Sequence, residues 1–365
     1  MTRVALLAPC AWPEVRRGGE RLVRELGAGL IERGHAARLI TSHPGPSSRT
    51  NEEGLEVIRS WRPPDARLRR RLFEDYITHV PFSYMELRRG DDEIAHAFHG
   101  PDAQAAVRWS RESGRPAVFT FLGLPTRRNL VQRRGRLASV LRAIEGSRVI
   151  VALSRAARDC FMRELGVEAR VIHPGVDLEG FKPVAERDER PTIFCASDPS
   201  LEAKRVPLLI EAFSVVRRNR RDARLVLQAP GDGALAATLE GREAGIELTP
   251  GDDLPDLYSR AWALALPSIG EAFGLVQVEA LACGTPVVGT SSEVIDTEEV
   301  GRVFSGDDPA ELARALNESL ELATDPATRE NCRKRANDFS TKKATEEHLK
   351  LYEELTADSR QPTAD

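Results

Sequence analysis

Two carboxylates eight positions apart, Glu271 and Glu279, flank Phe273-Gly274-Leu275 at what reads as a loop-to-helix junction. A helix start offers amides without intrahelical acceptors and a positive dipole end, so the junction favours an anion. Glu279 falls about two turns further along, and Gly284 closes the helix before a short buried strand over 286–288. A ligand bearing hydroxyls and phosphate would satisfy all three parts. Glu271 would accept sugar hydroxyls, the amides would hold phosphate oxygens, and Glu279 would accept the two hydroxyls of a ribose. A capping carboxylate on a solvated acidic helix is the plainer reading. It gives no reason for Gly270-Glu271-Ala272-Phe273-Gly274 ahead of the helix and Ala282-Cys283-Gly284-Thr285-Pro286 behind it.

This block resembles the E-x7-E donor motif of retaining GT-B glycosyltransferases, the large family four of mannosyl- and glucosyltransferases. Three more blocks are similar to that family, in order along the chain. Gly18-Gly19-Glu20-Arg21-Leu22-Val23, running on to Arg33-Gly34-His35, looks like its glycine-rich loop and first helix. Val171-Ile172-His173-Pro174-Gly175-Val176-Asp177 looks like its interdomain signature, with His173-Pro174 where Pro-Asn is usual. Lys204, ahead of Pro207-Leu208-Leu209-Ile210-Glu211, sits where the family has its phosphate-binding lysine.

The resemblance implies a metal-independent, retaining transfer of a hexose-type sugar from a nucleoside-diphosphate sugar to an acceptor hydroxyl. Uridine is the commonest donor base in the family, and the acceptor is unidentified. Lys204 would meet the departing diphosphate charge, with Arg205 beside it as a second cation. Glu271 and Glu279 keep the sugar and ribose roles, and Phe273, Gly274 and Leu275 the phosphate amides. The turn at Pro250, before the helix over 254–259, is where the family cradles the base. Gly18 and Gly19 would let backbone approach a ligand, although a plain strand-to-helix turn also uses two glycines. No metal or other cofactor is expected. No Asp-x-Asp presents itself, and Asp252-Asp253 reads as a cap for the 254–259 helix.

Two departures bear on catalysis. The family commonly has a cleft histidine after a strand ending Val-x-Thr-x-His-Gly, where this chain has Leu122 before Gly123. It also has a Gly-Arg pair shortly before the lysine, where this chain offers Cys195-Ala196-Ser197-Asp198. His99, at the end of a strand over 94–98, is the candidate to replace the first, and Arg205 the second. A strand-end histidine bonded to backbone explains His99 about as well. A smaller departure is Ser291-Ser292-Glu293, where a glycine-rich turn is usual. These departures keep open a second reading, a donor-binding homologue impaired in catalysis that acts as partner or sensor.

The elements that would position these groups alternate between short apolar runs and longer amphipathic stretches, the pattern of parallel sheets with crossover helices. Strands are expected over 4–8, 37–41, 94–98, 117–121 and 149–153, then 192–196, 225–228, 263–266, 286–288 and 303–304. Helices are expected over 20–33, 102–112, 130–144 and 155–165, then 206–219, 235–241, 254–259, 275–283, 309–323 and 326–338. The fold class is therefore α/β, two Rossmann-like doubly wound domains that GT-B geometry would face across a cleft. The divisions are 1–173 on the acceptor side, a linker over 174–190, and a donor domain over 191–340. A helix over 341–355 would cross back to the first domain, ahead of a polar tail over 356–365. Closure about Gly175 is expected to bring donor and acceptor together.

The chain has 365 residues and five scattered cysteines without metal or redox spacing, which read as buried thiols of a reducing, cytoplasmic compartment. No apolar run approaches membrane-spanning length. Residues 1–180 hold 30 Arg, no Lys and 22 acidic residues, a net of +8, against −12 for the remainder. Such a basic half attracts an anionic acceptor, a phospholipid surface or nucleic acid, although arginines on solvated faces need no partner. Nucleic acid is disfavoured because the basic residues are not interleaved with stacking aromatics. Around Leu68, Leu72, Phe73 and Tyr76 an interfacial helix and a peripheral membrane contact are possible. One packed and one solvated face is the commoner arrangement. The oligomeric state is left open.

Overall fold

The computed structural model describes residues 1–15, 17–240, 242–290 and 293–358. Its contacts divide the chain into two units, Met1–Gly175 with the segment from Thr341 onward, and Val176–Ser340.

The first unit is built on strands β1 (Arg3–Leu7), β2 (Ala36–His43), β3 (Ser48–Glu52), β4 (Leu55–Trp61), β5 (Ile94–Ala97), β6 (Ala117–Phe121), β7 (Val149–Ala152) and β8 (Arg170–Val171). They form one sheet in the order β3-β4-β2-β1-β5-β6-β7-β8, parallel throughout except where β3 pairs with β4. Helices α1 (Gly18–Glu32), α2 (Ala66–Arg70), α3 (Val80–Arg89), α4 (Gly100–Ser113), α5 (Arg127–Val131), α6 (Arg136–Gly146) and α7 (Arg155–Leu165) connect them. Fully buried runs such as Val4 to Leu7 and Ala95 to Phe98 are what a two-sided parallel sheet requires.

The second unit has strands β9 (Thr192–Cys195), β10 (Arg224–Gln228), β11 (Ile246–Thr249), β12 (Ala263–Leu266), β13 (Val287–Gly289) and β14 (Gly301–Val303). They are all parallel, in the order β11-β10-β9-β12-β13-β14. Its helices are α8 (Val206–Asn219), α9 (Gly233–Glu240), α10 (Leu254–Arg260), α11 (Leu275–Ala282), α12 (Pro309–Leu322) and α13 (Thr328–Ala336). Each unit carries its own apolar cluster, around Leu7, Phe119 and Phe161 in the first and Ile193, Phe213 and Leu316 in the second.

The final helix, α14 (Thr341–Asp358), packs on the first unit. Tyr352 is fully buried and its hydroxyl is 2.6 Å from His96 Nδ1, while His96 Nε2 meets Thr120 Oγ1 at 2.6 Å. The His348 ring lies 5.5 Å from that of His96. Gly175 owes its identity to this packing, because a Cβ there would stand 2.4 Å from the Thr341 Cα.

Several expectations need correction. β3, β4, β8, β11 and α3 are not among the expected elements. β3 is polar in every residue, so it lacks alternation. Its hairpin turn is Glu53-Gly54, with φ of 56° and 91°, in place of the usual Asn-Gly. The single helix expected over 130–144 is two, α5 and α6, separated around Gly135 at φ 83°. The helical run from Leu68 to Tyr76 ends with α2 at Arg70, because Leu72 and Tyr76 take φ of 59° and 63°. Residues 291, 292 and 359–365, together with Gly241 of the 235–241 helix, lie outside the described residues.

Candidate donor and acceptor site

In the second unit the chain leaves buried β12 and runs through Ser268 to Gly274 before α11 begins. Gly274 is the N-cap at φ 90°, and a Cβ there would press within 3.2 Å of Leu266. This left-handed cap turns the chain sharply into α11, so the first-turn amides at Leu275 and Val276 start a new helix. Phe273 is 4% exposed and packs edge-to-face on Phe339, at 5.2 Å between ring centroids. Its ring is therefore an anchor, which leaves only its backbone for a ligand.

Lys204 and Glu271, 67 residues apart, meet here. Lys204 ends a 3-10 turn over Glu202–Lys204, and its Nζ donates to Glu271 Oε1 at 2.5 Å. The Ile269 amide bonds to the Ala203 carbonyl at 3.0 Å, pinning the Glu271 loop to the lysine turn. Both side chains are about a quarter exposed, so the pair is open to exchange with a charged ligand.

Glu279 is more enclosed than a ribose ligand was expected to be. It is 2% exposed, and its Oε2 accepts from the Tyr258 hydroxyl at 2.8 Å inside the unit. Arg205 is also committed. It sits at φ 55° and directs Nη2 to the Gly306 carbonyl and Asp307 Oδ1, each at 2.5 Å. Asp307 is 91% exposed, which leaves that pair screened and weak. Asp198 closes its own turn by accepting from the Ser200 amide and hydroxyl at 2.9 and 2.7 Å. Pro250 follows β11, and Asp253 caps α10 by accepting from the Asp256 amide at 3.1 Å.

In the first unit Gly18 and Gly19 open α1. A Cβ at Gly19 would lie 2.8 Å from Leu122 Cδ1. The glycine thus makes room for Leu122, a role its sequence context did not reveal. Glu20, in the first turn of α1, is 5% exposed, and burial raises its carboxyl above the ordinary range.

His99 ends the β5 segment as N-cap of α4. With Glu74, Phe121, Leu122, Arg136 and Ser139 it lines a cavity of about 160 Å³. Its Nδ1 is buried without a hydrogen-bond partner among the described residues. Burial lowers its pKa, opposed by the charge of Asp102. Behind it Asp102 Oδ1 stands 3.0 Å from His79 Nε2, and His79 Nδ1 is 2.9 Å from Ser83 Oγ. Asp102 and His79 are wholly buried. Arg136 donates to Glu74 at 2.7 Å, which neutralises the cation in the cavity wall. Sequence reading missed Tyr258, His79 and Asp102; Asp102, three residues past His99 in the same first turn, was the readable one.

All five cysteines are free and buried. Burial pushes the Cys195 thiol up to about 11 and those of Cys283 and Cys332 up to about 12, so these are inert. Among the described residues no helix is long and apolar enough to cross a membrane.

Two parallel-sheet α/β units, with a helix start beside a lysine–glutamate pair in the second, define the GT-B class. Residues 16–179 match the family model described as Glycosyltransferase Family 4, and residues 190–321 match that of Glycosyl transferases group 1. The chain belongs to the family-four glycosyltransferases of GT-B fold, transferases that use a nucleotide-sugar donor. A D-inositol 3-phosphate glycosyltransferase of Paenarthrobacter aurescens is 27% identical over 85% of each chain. Other curated relatives of that name match over 25% to 65% of their own length. Among solved structures, sucrose-phosphate synthase of Thermosynechococcus elongatus superposes with a TM-score of 0.81, 20% identity, and coverage of 98% of this chain and all of that one. Anabaena HepE in complex with UDP and glucose superposes with a TM-score of 0.74, 17% identity, and coverage of 97% and 100%.

Proposed function

We propose that this chain transfers a hexose-type sugar from a nucleoside diphosphate to an acceptor hydroxyl, with retention of configuration and without a metal. The observation that carries the reading is the Lys204–Glu271 pair beside the start of α11. An incoming donor exchanges partners with it. The Lys204 ammonium turns to the diphosphate, and Glu271, released, accepts hydroxyls of the sugar. The α11 amides hold phosphate oxygens, and Glu279 turns its carboxylate to the ribose hydroxyls. The anomeric C–O bond to the diphosphate breaks and a bond to the acceptor oxygen forms on the same face. The acceptor proton passes to the leaving phosphate oxygen. His99 orients the acceptor hydroxyl through its unpaired ring nitrogen.

Uridine diphosphate donors head the test panel, since HepE is described with UDP and glucose. D-inositol 3-phosphate heads the acceptor panel, from the name of the curated relatives. The free, buried cysteines fit a reducing, cytoplasmic compartment. The test is a nucleotide-sugar panel read by thermal shift and by sugar release, with and without chelator. Absence of any shift sinks the donor assignment, and activity lost to chelator sinks metal independence. Leu122, packed on Gly19 where the family has histidine, favours a second reading as a donor-binding partner or sensor. Nucleotide binding with no transfer across the panel would select it.

A further inference from the structure

The +8 of residues 1–180 is not spread evenly. Residues 65–75 and 126–142 together hold ten arginines against three acidic residues, a net of +7. The fold stitches these two segments together. The Arg134 amide donates to the Leu72 carbonyl at 2.6 Å and the Glu74 amide to the Arg134 carbonyl at 3.2 Å. The ion pairs Arg136–Glu74 and Arg133–Asp75 close the same seam. Those bridges engage Glu74 and Asp75, and Asp65 accepts from the Tyr76 amide at 3.1 Å, so the outward charge stays basic. Arg67, Arg70, Arg71, Arg127 and Arg142 are exposed and carry no ion pair among the described residues.

Apolar side chains stand among these cations. Leu72 is 56% exposed and Val131 62%, while Leu137 and Leu141, one turn apart on α6, are each 38% exposed. With Ile77 they make five of the thirteen large apolar side chains exposed among the described residues. Leu72 is also held at φ 59°, a conformation that costs an L-residue stability, yet its side chain points into water. Exposed aliphatics framed by unpaired arginines match a surface that is anionic outside and hydrocarbon within. Nucleic acid would instead reward stacking rings, and the one ring on the seam, Phe73, faces the Arg134 guanidinium at 5.9 Å.

We propose that this face of the first unit, formed by the seam of α2 with α5 and α6, docks the enzyme on an anionic phospholipid surface. The arginines draw it to the headgroups, and Leu72 and Val131 enter the acyl boundary. The proposal is independent of the donor chemistry, because vesicle binding and nucleotide thermal shift are read separately.

The experiment is co-sedimentation of the full chain with phosphatidylglycerol–phosphatidylcholine vesicles and with phosphatidylcholine alone. Binding is expected only to the anionic vesicles and should weaken as salt rises. Arg70→Glu with Arg71→Glu should lower partitioning at least about 25-fold, from about fivefold per arginine lost. Leu72→Ser with Val131→Ser should lower it about tenfold with an unchanged Tm. The same charge change elsewhere, Arg221→Glu with Arg314→Glu in the second unit, should leave it as it was. No binding to anionic vesicles overturns the proposal. So does binding that the serine variant leaves intact, or a DNA oligonucleotide bound more tightly than the vesicles through the same arginines.

Discussion

The two units differ in how closely they hold to the pattern of a doubly wound sheet. The second is parallel throughout, with one non-glycine at positive φ among the described residues, Arg205. The first adds an antiparallel hairpin, a divided helix and three such residues, Glu53, Leu72 and Tyr76. A nucleoside diphosphate presents the same charge in every reaction, so the unit assigned to it can stay regular. The unit proposed here to take the acceptor and to meet a membrane would gain from irregular segments, where strain and exposure can serve function.

The largest expected effect breaks the regular unit's chemistry. Lys204→Ala and Glu271→Ala should each lower turnover about 10²–10³-fold, or roughly 2–4 kcal/mol of transition-state stabilisation. Their Tm should hardly move, because the ground-state pair is partly exposed and worth little. The double variant should cost less than the sum, since both residues act on one ligand. Wild-type turnover in Lys204→Ala would remove the phosphate assignment.

Next in size is an acid sensitivity confined to the irregular unit. His348 is buried with its pKa lowered to about 4, and burial lowers His96 as well. Unfolded, each protonates near 6.5, so between that value and the folded value the unfolded chain binds more protons. Stability is therefore fully present above about pH 6.5 and falls as pH drops towards 4, on the order of 3 kcal/mol for His348 alone. Denaturant melts at pH 7 and 4.5 should show the first unit loosening while the second holds. His348→Leu should flatten that dependence, and an unchanged slope in the variant would exclude His348 as its source.

Glu279 tests where site and core overlap. Glu279→Ala leaves the buried Tyr258 hydroxyl without its acceptor, which should cost about 1–3 kcal/mol of stability besides weakening nucleotide binding. Glu279→Gln keeps an acceptor for Tyr258, so it should recover the Tm while nucleotide affinity stays reduced. Parallel recovery of both would mean that Glu279 serves the core alone.

What the sequence made legible follows the same division. Most of the second unit's strands, apart from the edge strand β11, are short apolar runs, and α8 is found over the expected 206–219. The E-x7-E block and Lys204 were readable because glycines and a capped helix surround them. Burial was not readable. Nothing in Gln277-Val278-Glu279-Ala280 says that the carboxylate faces Tyr258, which comes from another helix. In the first unit β3 was invisible because its partner strand, rather than its own side chains, supplies the apolar contact. The His79–Asp102 contact joins residues on separate helices, a pairing that only the fold creates.

The smallest effect concerns the residue that sets the two units' legibility apart. Leu122 stands where the family has histidine, and it fills the space left by Gly19. Imidazole and isobutyl are close in volume, so Leu122→His should cost under about 1.5 kcal/mol of stability. If His99 already serves the acceptor, a second imidazole adds no new interaction, and turnover should stay within a few-fold of wild type. His99→Ala should then lower turnover about 10²-fold and alter the acid limb of the pH profile, because its ring faces the same cavity. Leu122→His in the His99→Ala background should restore part of that loss, since the two side chains line one cavity from adjacent strands. A Leu122→His variant that gains activity over an inactive parent would give the opposite answer. It would mean that the chain keeps its donor site while the acceptor chemistry has lapsed, and that His99 is a structural cap.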